Sequence, residues 1–200
     1  MESEEETVGR KAFEDLIRFS IPPSELRRVM LAYQFAKHGH KGQTRETGER
    51  YFEHPKAVAL ILIRELKILD PDAIITALLH DIYEDTFILT WENIEDVFGK
   101  DIVRYVRALT KEPGKDYLAH LLRAPTPVLF VKLADRLHNL RTLGGCRPEK
   151  KAKQIKETRE KYVDVMEELK RRLPQNELWR SSYLREQILD RCAEIEKTLA

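Results

Sequence analysis

The apolar residues of this chain recur mainly at the three- and four-residue spacing of an α-helix, and no segment shows the sustained alternation of a β-strand. The clearest case follows Asp70 and Pro71, where an N-capping aspartate and a proline at the first helical position precede a dense apolar run. The segment that starts at Pro127 opens with VLFV, which has strand propensity, but the spacing after it is helical. The sequence therefore predicts an all-α fold.

Proline, glycine and capping residues divide the helical pattern into segments. No internal repeat and no Gly/Ser- or Pro-rich linker interrupts it, so we expect one helical-bundle domain over residues 1–200. The motif-bearing core is predicted at about residues 25–145 and the C-terminal helices at 148–199. The other predicted helices run from Leu26 to about His38, His54 to about Leu66, Thr90 to Phe98, Ile102 to Leu109, Pro148 to Leu173 and Asn176 to Leu199.

Composition and charge exclude several classes of protein. Hydrophobic residues make up 42% of the chain and charged residues 34%, which is typical of globular proteins. The net charge of +1 provides no broad basic surface for nucleic acid, so an anionic substrate would need locally clustered Lys and Arg. The longest apolar run, residues 57–63, is too short to cross a membrane, and the acidic N-terminus is unlike a signal peptide. We therefore expect a cytoplasmic protein that binds neither nucleic acid nor a membrane.

A histidine–aspartate pair, His80-Asp81, lies inside an apolar predicted helix. Buried ionisable groups are costly unless they are paired or bind a metal, so this pair needs an explanation. On a continuous helix Glu84 would lie one turn beyond His80, and Asp85 one turn beyond Asp81. An imidazole beside a carboxylate can hold a divalent cation, and the two later carboxylates could then reach a water molecule next to it.

Two further residues could complete a metal site. Asp135 is a carboxylate in another apolar helix, and His54 lies at the start of the second predicted helix. Each alone has an ordinary explanation, since a lone interior histidine is usually a hydrogen-bonded core residue and Asp135 could pair with Arg136 on a helix surface. Two imidazoles and two carboxylates from three helices suit Mn, Fe, Co or Zn and leave positions open for water and substrate. The candidate ligands are His54, His80, Asp81 and Asp135.

Longer motifs surround these residues in order: AKHGHKGQTR at 36–45, TGERYFEHP at 47–55, ALLHDIYEDT at 77–86, FG at 98–99, LTK at 109–111 and VKLADRLHNLRTL at 131–143. Over residues 36–143 the chain resembles the hydrolase domain of the Rel/Spo alarmone enzymes and their stand-alone small relatives. One departure is Arg50, where that family usually has proline, which leaves the local loop shape and the base preference open. Nothing in the 200 residues corresponds to the synthetase domain or the regulatory domains of the larger enzymes.

The resemblance implies an HD-domain (histidine–aspartate) hydrolase, a single helical bundle with a metal site at its centre. The four candidates above would bind the metal, with manganese as the expected ion. Glu84 and Asp85 correspond to the family's catalytic acidic pair. The implied reaction removes pyrophosphate from the ribose 3′ position of (p)ppGpp, the alarmone of the stringent response, and leaves GDP or GTP. A divalent metal suits this reaction because it activates water and polarises a phosphoryl oxygen near neutral pH. On this interpretation Glu84 orients or deprotonates the attacking water, and Asp85 assists proton transfer to the leaving 3′-oxygen.

The resemblance also implies where the nucleotide binds. Arg45 corresponds to the residue that packs on the base, Thr142 to one near the base, and Asn139 to one that contacts the ribose or phosphate region. A planar guanidinium can stack on a purine, which a lysine ammonium cannot do. The candidates to neutralise phosphate are Lys41, in the same loop as Arg45, and Lys111.

Several alternatives stay open at this point. The substrate could be (p)ppApp or another nucleotide, since arginine stacking accepts either purine. A non-catalytic nucleotide-binding HD module would be expected to lack part of the acidic and histidine motif, and all of that motif is present here. His138 is predicted to lie on a different helical face from Asp135 and is not counted as a ligand, while His38 and His40 are assigned to a loop near the site. The oligomeric state stays open and includes a homodimer.

Overall fold

Helices form the regular structure of this chain in the computed structural model, which describes residues 8–85, 90–114 and 116–199, without the side chain of Asp85. Within those ranges no strand occurs, only an isolated bridge between Thr44 and Arg50, so the all-α prediction is confirmed. No helix in the same ranges combines the length and apolarity needed to cross a membrane. The α-helices, in chain order, are α1 (Arg10–Asp15), α2 (Pro23–Gly39), α3 (Glu53–Leu60), α4 (Pro71–Leu79), α5 (Ile82–Asp85), α6 (Trp91–Phe98), α7 (Lys100–Leu109), α8 (Tyr117–Arg123), α9 (Thr126–Arg141), α10 (Pro148–Glu157), α11 (Val163–Arg172) and α12 (Leu178–Leu199).

Three short segments connect or extend these helices. The π-helical turn Ile61–Glu65 extends α3, and the π-helical turn Thr158–Tyr162 joins α10 to α11, within the single helix that the sequence predicts there. A 3-10 turn, Gln175–Glu177, precedes α12. The VLFV segment is helical within α9, as its later spacing predicts. The sequence did not predict α1 and α8, because one or two turns carry too little apolar periodicity.

Two helix starts follow from capping residues. Asp70 accepts a hydrogen bond from the backbone N–H of Asp72 and precedes Pro71, the first residue of α4. Thr90 and Asn93 form a reciprocal capping box at the start of α6. Both α4 and α6 therefore begin where the sequence predicts.

The core centres on α4 and α9. Every residue of α4 from 73 to 79 is buried, and so is every residue of α9 from 128 to 138. Helices α2, α3 and α7 pack around α4, while α11 and α12 pack on α9. Burying one leucine or isoleucine side chain stabilises the fold by about 1.5–3 kcal/mol, so these two helices are strongly held. Side chains carried by α9 and by the end of α4 therefore have firm support.

A partly buried ion pair ties the C-terminal helix to the core. Arg141, the last residue of α9, donates to both carboxylate oxygens of Glu65 at 2.7 and 2.9 Å. Tyr183 on α12 donates to the same carboxylate at 2.6 Å. Burial alone would raise the pKa of Glu65, but the hydrogen bonds from Arg141 and Tyr183 outweigh it and lower the pKa.

Glu65→Gln is expected to lower the free energy of unfolding by about 1–3 kcal/mol at pH 7, since hydrogen bonds to a charged group are lost. Because the folded-state pKa is depressed, this stability is fully present above the ordinary carboxyl pKa of 4.5. It is lost as the pH falls through the lower folded-state pKa. Urea denaturation at pH 7 and in steps down to about pH 3 measures the difference.

The matched control for this measurement is Glu167→Gln, which breaks an exposed pair with Arg185. Exposed pairs contribute about 0–1 kcal/mol, so this control is expected to unfold almost like the wild-type protein. The difference in free energy of unfolding between Glu65→Gln and the wild-type protein is expected to become smaller as the pH falls. A difference that stays constant would contradict the role given to the Glu65 charge.

Candidate metal centre

The four predicted ligands meet between α3, α4 and α9. His54 lies in the first turn of α3, His80 directly follows α4, and Asp135 projects from α9. His54 Nε2 lies 3.2 Å from Asp135 Oδ1 and 3.5 Å from Asp81 Oδ2. His80 Nε2 lies 3.2 Å from Asp81 Oδ1 and 3.9 Å from Asp135 Oδ1. One ligand atom each from His54, His80 and Asp81 lies within 4.8 Å of the other two, so the fold brings the predicted set together.

The helix that carries His80 ends earlier than the sequence predicts. Helix α4 stops at Leu79 and α5 is a separate turn, so His80 and Asp81 lie at the junction of two helices. The imidazole of His80 donates from Nδ1 to the Ala77 carbonyl at 2.8 Å, one of the carbonyls that a helix end leaves without a backbone donor. The chain from His80 to Glu84 therefore crosses the junction between two helices instead of following one continuous helix.

The donor set fits a divalent cation. With Nδ1 of His80 bonded to the Ala77 carbonyl, Nε2 faces the carboxylates of Asp81 and Asp135. This buried nitrogen has no hydrogen-bond partner among the described residues. A buried polar atom of this kind is rare, and a cation held by its lone pair would satisfy it. The mixture of imidazole nitrogen and carboxylate oxygen is one that first-row divalent metals accept.

The charges around the centre favour a cation. Burial works against an ionised carboxyl group, but His80 outweighs it and lowers the pKa of Asp81. Lys132 in the same way outweighs burial and lowers the pKa of Asp135. Burial lowers the pKa of His54, which keeps that ring neutral. Burial also disfavours a charged His80, but Asp81 raises its pKa to about 9, so a proton and a metal compete for this ring.

Side chains that the sequence did not reveal hold the two carboxylates in place. Lys132, buried one turn before Asp135 on α9, donates to Asp135 Oδ2 at 2.9 Å. Tyr51 donates from its hydroxyl to Asp81 Oδ2 at 2.9 Å, and the buried ring of His40 stacks on Tyr51 with centroids 4.6 Å apart. Lysine is rarely buried unless it is paired with a charged group. The position of Lys132 in an apolar helix was therefore a signal that could have indicated its ion pair with Asp135. Tyr51 offered no comparable signal, because it reaches Asp81 across the fold.

The loop between α2 and α3 brings Arg45 to the centre. Gly42 and Gly48 adopt φ values of 82° and 86°, a region that glycine occupies without strain, and the chain turns tightly on both sides of Arg45. The bridge between Thr44 and Arg50 closes the loop. Arg50, which stands where proline is usual, is exposed, and its guanidinium pairs with the first residue of α3 at 2.8 Å. The loop is thus closed with arginine at this position.

Arg45 joins the predicted substrate-binding residues into one cluster. Its guanidinium donates to the side-chain oxygen of Asn139 and, at 3.3 Å, to Thr142 Oγ1. Asn139 in turn donates from its amide to Asp135 Oδ1. Arg45, Asn139 and Thr142 therefore lie together, directly beside the candidate metal ligands.

Three of the remaining predicted site residues, Lys41, Glu84 and Lys111, lie at the surface. Glu84 is exposed on α5, and its carboxylate accepts a hydrogen bond from the backbone N–H of Lys111. The Lys111 ammonium lies 5.7 Å from the ring centroid of Tyr117. Lys41 is exposed in the turn that follows α2. The predicted role of Asp85 rests on a side chain outside the described residues.

His138 contacts the centre, which the sequence analysis did not predict. Its Nδ1 lies 2.8 Å from Nδ1 of His54 and 3.3 Å from a guanidinium nitrogen of Arg45. The expectation that His138 occupies a different face from Asp135 was wrong, since residues three apart are neighbours on a helix. Burial, together with the neighbouring His54 and Arg45, lowers the pKa of His138 to about 2, so this ring is neutral.

Comparison with known proteins finds relatives over most of the chain. Residues 32–114 match the family model described as an HD domain. The bifunctional (p)ppGpp synthase/hydrolase SpoT of Escherichia coli K12 is 37% identical over 172 residues, which cover 80% of this chain and 24% of that protein. The guanosine-3′,5′-bis(diphosphate) 3′-pyrophosphohydrolase of Aquifex aeolicus is 40% identical over 174 residues, which cover 81% of this chain and 25% of that protein. The chain thus spans about a quarter of the length of these curated relatives.

One solved structure has the same fold over nearly its whole length. It is that of a metazoan ortholog of SpoT that hydrolyzes ppGpp and plays a role in starvation responses. The two structures superpose with a TM-score of 0.66 at 26% identity, covering 84% of this chain and 97% of that chain. The overall fold is therefore one that a chain of comparable size also adopts.

Proposed function

Because this chain belongs to the HD-domain family and matches SpoT over 80% of its length, we propose that it is a metal-dependent 3′-pyrophosphohydrolase of (p)ppGpp. Water attacks the phosphorus attached to the ribose 3′-oxygen, and that phosphorus–oxygen bond breaks. The products are pyrophosphate with GDP or GTP. The observation that carries the proposal is that two imidazoles and two carboxylates lie close together beside Arg45. They belong to His54, His80, Asp81 and Asp135.

We assign manganese as the working ion, held by those four side chains. A divalent cation bound there supplies positive charge that polarises a phosphoryl oxygen and makes water more acidic. Zinc or nickel could fill the same site in purified protein. The affinity of nitrogen and oxygen ligands is set by the order of the first-row divalent metals, and it does not depend on which ion supports the reaction.

We assign roles in moving protons and neutralising charge to the acidic pair Glu84 and Asp85 and to two exposed lysines. Phosphoryl transfer depends on positioning and charge neutralisation more than on covalent help. Glu84 orients the attacking water and takes its proton, and Asp85 assists proton transfer to the leaving 3′-oxygen. Lys41 and Lys111 are exposed, where their ammonium groups can meet the phosphates of an arriving nucleotide.

Arg45 is the residue that we assign to the purine. Its N–H groups are bonded to Asn139 and Thr142, whereas stacking uses the flat face of the guanidinium, so both contacts can persist under a bound base. Asn139 lies between Asp135 and Arg45, a position suited to the ribose or the 3′-phosphate. Stacking does not distinguish guanine from adenine, so (p)ppApp is the second candidate substrate.

The substrate is expected to be a free nucleotide rather than a nucleic acid, because the net charge of the chain is only +1. A cytoplasmic location and a role in the stringent response follow from (p)ppGpp as the substrate. The homodimer stays a prediction, which size-exclusion chromatography with light scattering would test.

Hydrolysis of ppGpp by the purified protein is expected to require a divalent metal and to release pyrophosphate. The protein is stripped with a chelator, supplied again with Mn²⁺, and incubated with ppGpp, pppGpp or ppApp before the products are separated by anion-exchange chromatography. GDP is the control substrate, because it has the same base and 5′-diphosphate without the 3′-pyrophosphate. Release of orthophosphate instead of pyrophosphate, or turnover that chelation leaves unchanged, would contradict the proposal.

A further inference from the structure

Two buried histidine rings lie next to each other beside the candidate metal ligands, with one nitrogen of each facing the other. Nδ1 of His54 and Nδ1 of His138 lie 2.8 Å apart, and the two residues are 2% and 8% exposed. A neutral imidazole carries its proton on one nitrogen and a lone pair on the other. At this distance one of the facing nitrogens must therefore donate and the other must accept.

The other edge of the His54 ring faces two carboxylates. Its Nε2 lies 3.2 Å from Asp135 Oδ1 and 3.5 Å from Asp81 Oδ2. In the metal-free protein these carboxylates attract the His54 proton to Nε2. A ring protonated there has no lone pair to offer a cation, so the carboxylates of the site favour the tautomer that cannot bind metal.

The second histidine ligand shows how this conflict is resolved. His80 donates from Nδ1 to the Ala77 carbonyl, which can only accept, and its Nε2 is left facing the carboxylates. Histidines that bind metal commonly have such an acceptor behind them. Behind His54, the polar neighbours of Nδ1 among the described residues are His138 and Arg45, and a guanidinium has no lone pair to offer. Of these two, His138 is the one that can accept the His54 proton.

We propose that His138 holds His54 in the tautomer that carries its proton on Nδ1, so that the Nε2 lone pair of His54 is available to a divalent cation. His138 is then a neutral ring with its own proton on Nε2. The same guanidinium nitrogen of Arg45 lies 3.3 Å from Nδ1 of His138 and 3.4 Å from Nδ1 of His54, so it can donate to whichever ring accepts and does not by itself select the tautomer. His138 is a positioning residue, and the inference rests on the proposed metal centre.

The test begins with the metal-free protein, in which ¹⁵N chemical shifts of the histidine rings report which nitrogen carries the proton. In the wild-type protein His54 is expected to be protonated on Nδ1. In His138→Phe, which keeps a planar ring without an acceptor, the His54 proton is expected to move to Nε2. The Mn²⁺ affinity of that variant, measured by calorimetry, is expected to fall by about 10–100-fold.

Rescue separates this role from ordinary packing. The side-chain oxygen of asparagine lies one bond beyond Cγ, as Nδ1 of histidine does, so His138→Asn is expected to recover the Nδ1-protonated His54 and most of the Mn²⁺ affinity. Circular dichroism checks that both variants fold. The control is His120→Phe, which removes an exposed histidine on α8 and is expected to leave the His54 tautomer and the metal affinity unchanged.

Two results would overturn the inference: a His54 protonated on Nε2 in wild-type protein that binds Mn²⁺, or a folded His138→Phe variant with unchanged Mn²⁺ affinity. A wild-type protein that binds no Mn²⁺ would instead overturn the proposed metal centre. The failures are distinguishable, because the tautomer is read in the absence of metal.

Discussion

Asp81→Ala is expected to abolish hydrolysis of ppGpp while the protein remains folded. Asp81 lies 3.2 Å from His80 Nε2 and 3.5 Å from His54 Nε2, so its loss removes one of the two carboxylates that both imidazoles face. It follows the end of α4 and is partly exposed, so its removal leaves no large cavity in the core. We expect a loss of turnover on the order of 10³-fold or more, the scale of removing a group on which the chemistry depends.

The Asp81→Ala measurement pairs turnover with metal content. Elemental analysis of the dialysed variant is expected to show little Mn²⁺, and the gain in thermal stability that Mn²⁺ gives the wild-type protein is expected to vanish. Asp101→Ala, which removes an exposed aspartate paired with Arg104 on α7, is the matched control and should behave as wild type. Near-wild-type turnover by Asp81→Ala, or by His80→Ala, would show that the reaction takes place elsewhere.

Glu84→Gln is expected to lower turnover by about 10²–10⁴-fold and to leave metal content and substrate affinity near wild type. Glu84 is exposed on α5, and its observed partner is the backbone N–H of Lys111. A glutamine oxygen can accept the same hydrogen bond, so the variant keeps this contact and removes only the charge. The change therefore isolates the ability of Glu84 to take a proton from water.

The Glu84→Gln experiment needs metal analysis together with single-turnover hydrolysis at saturating Mn²⁺. Glu95→Gln on α6 is the control, because it removes an exposed carboxylate that contacts none of the site residues described above. Loss of metal in step with activity would make Glu84 a ligand rather than a base. Full activity with full metal would mean that the cation activates water without this carboxylate.

The all-α fold and the candidate ligand set were determined by the sequence itself. Helical spacing is a local property, so α4 and α9 could be predicted without knowledge of their neighbours, and the Asp70 cap and Pro71 even located one helix start. His80 and Asp135 stood out for a similar reason. Ionisable residues in apolar helices are costly, and this cost can be recognised along a single stretch of chain.

The surroundings of those ligands were decided only by the tertiary structure. The contact between His54 and His138 joins residues 84 positions apart, and it exists because α3 packs against α9. Tyr51 likewise reaches Asp81 over 30 positions. Helical periodicity assigns a residue to a face of its own helix, but the partner of that face depends on how the helices pack. For this reason the sequence could indicate the candidate metal ligands, whereas only the fold shows which side chains contact them.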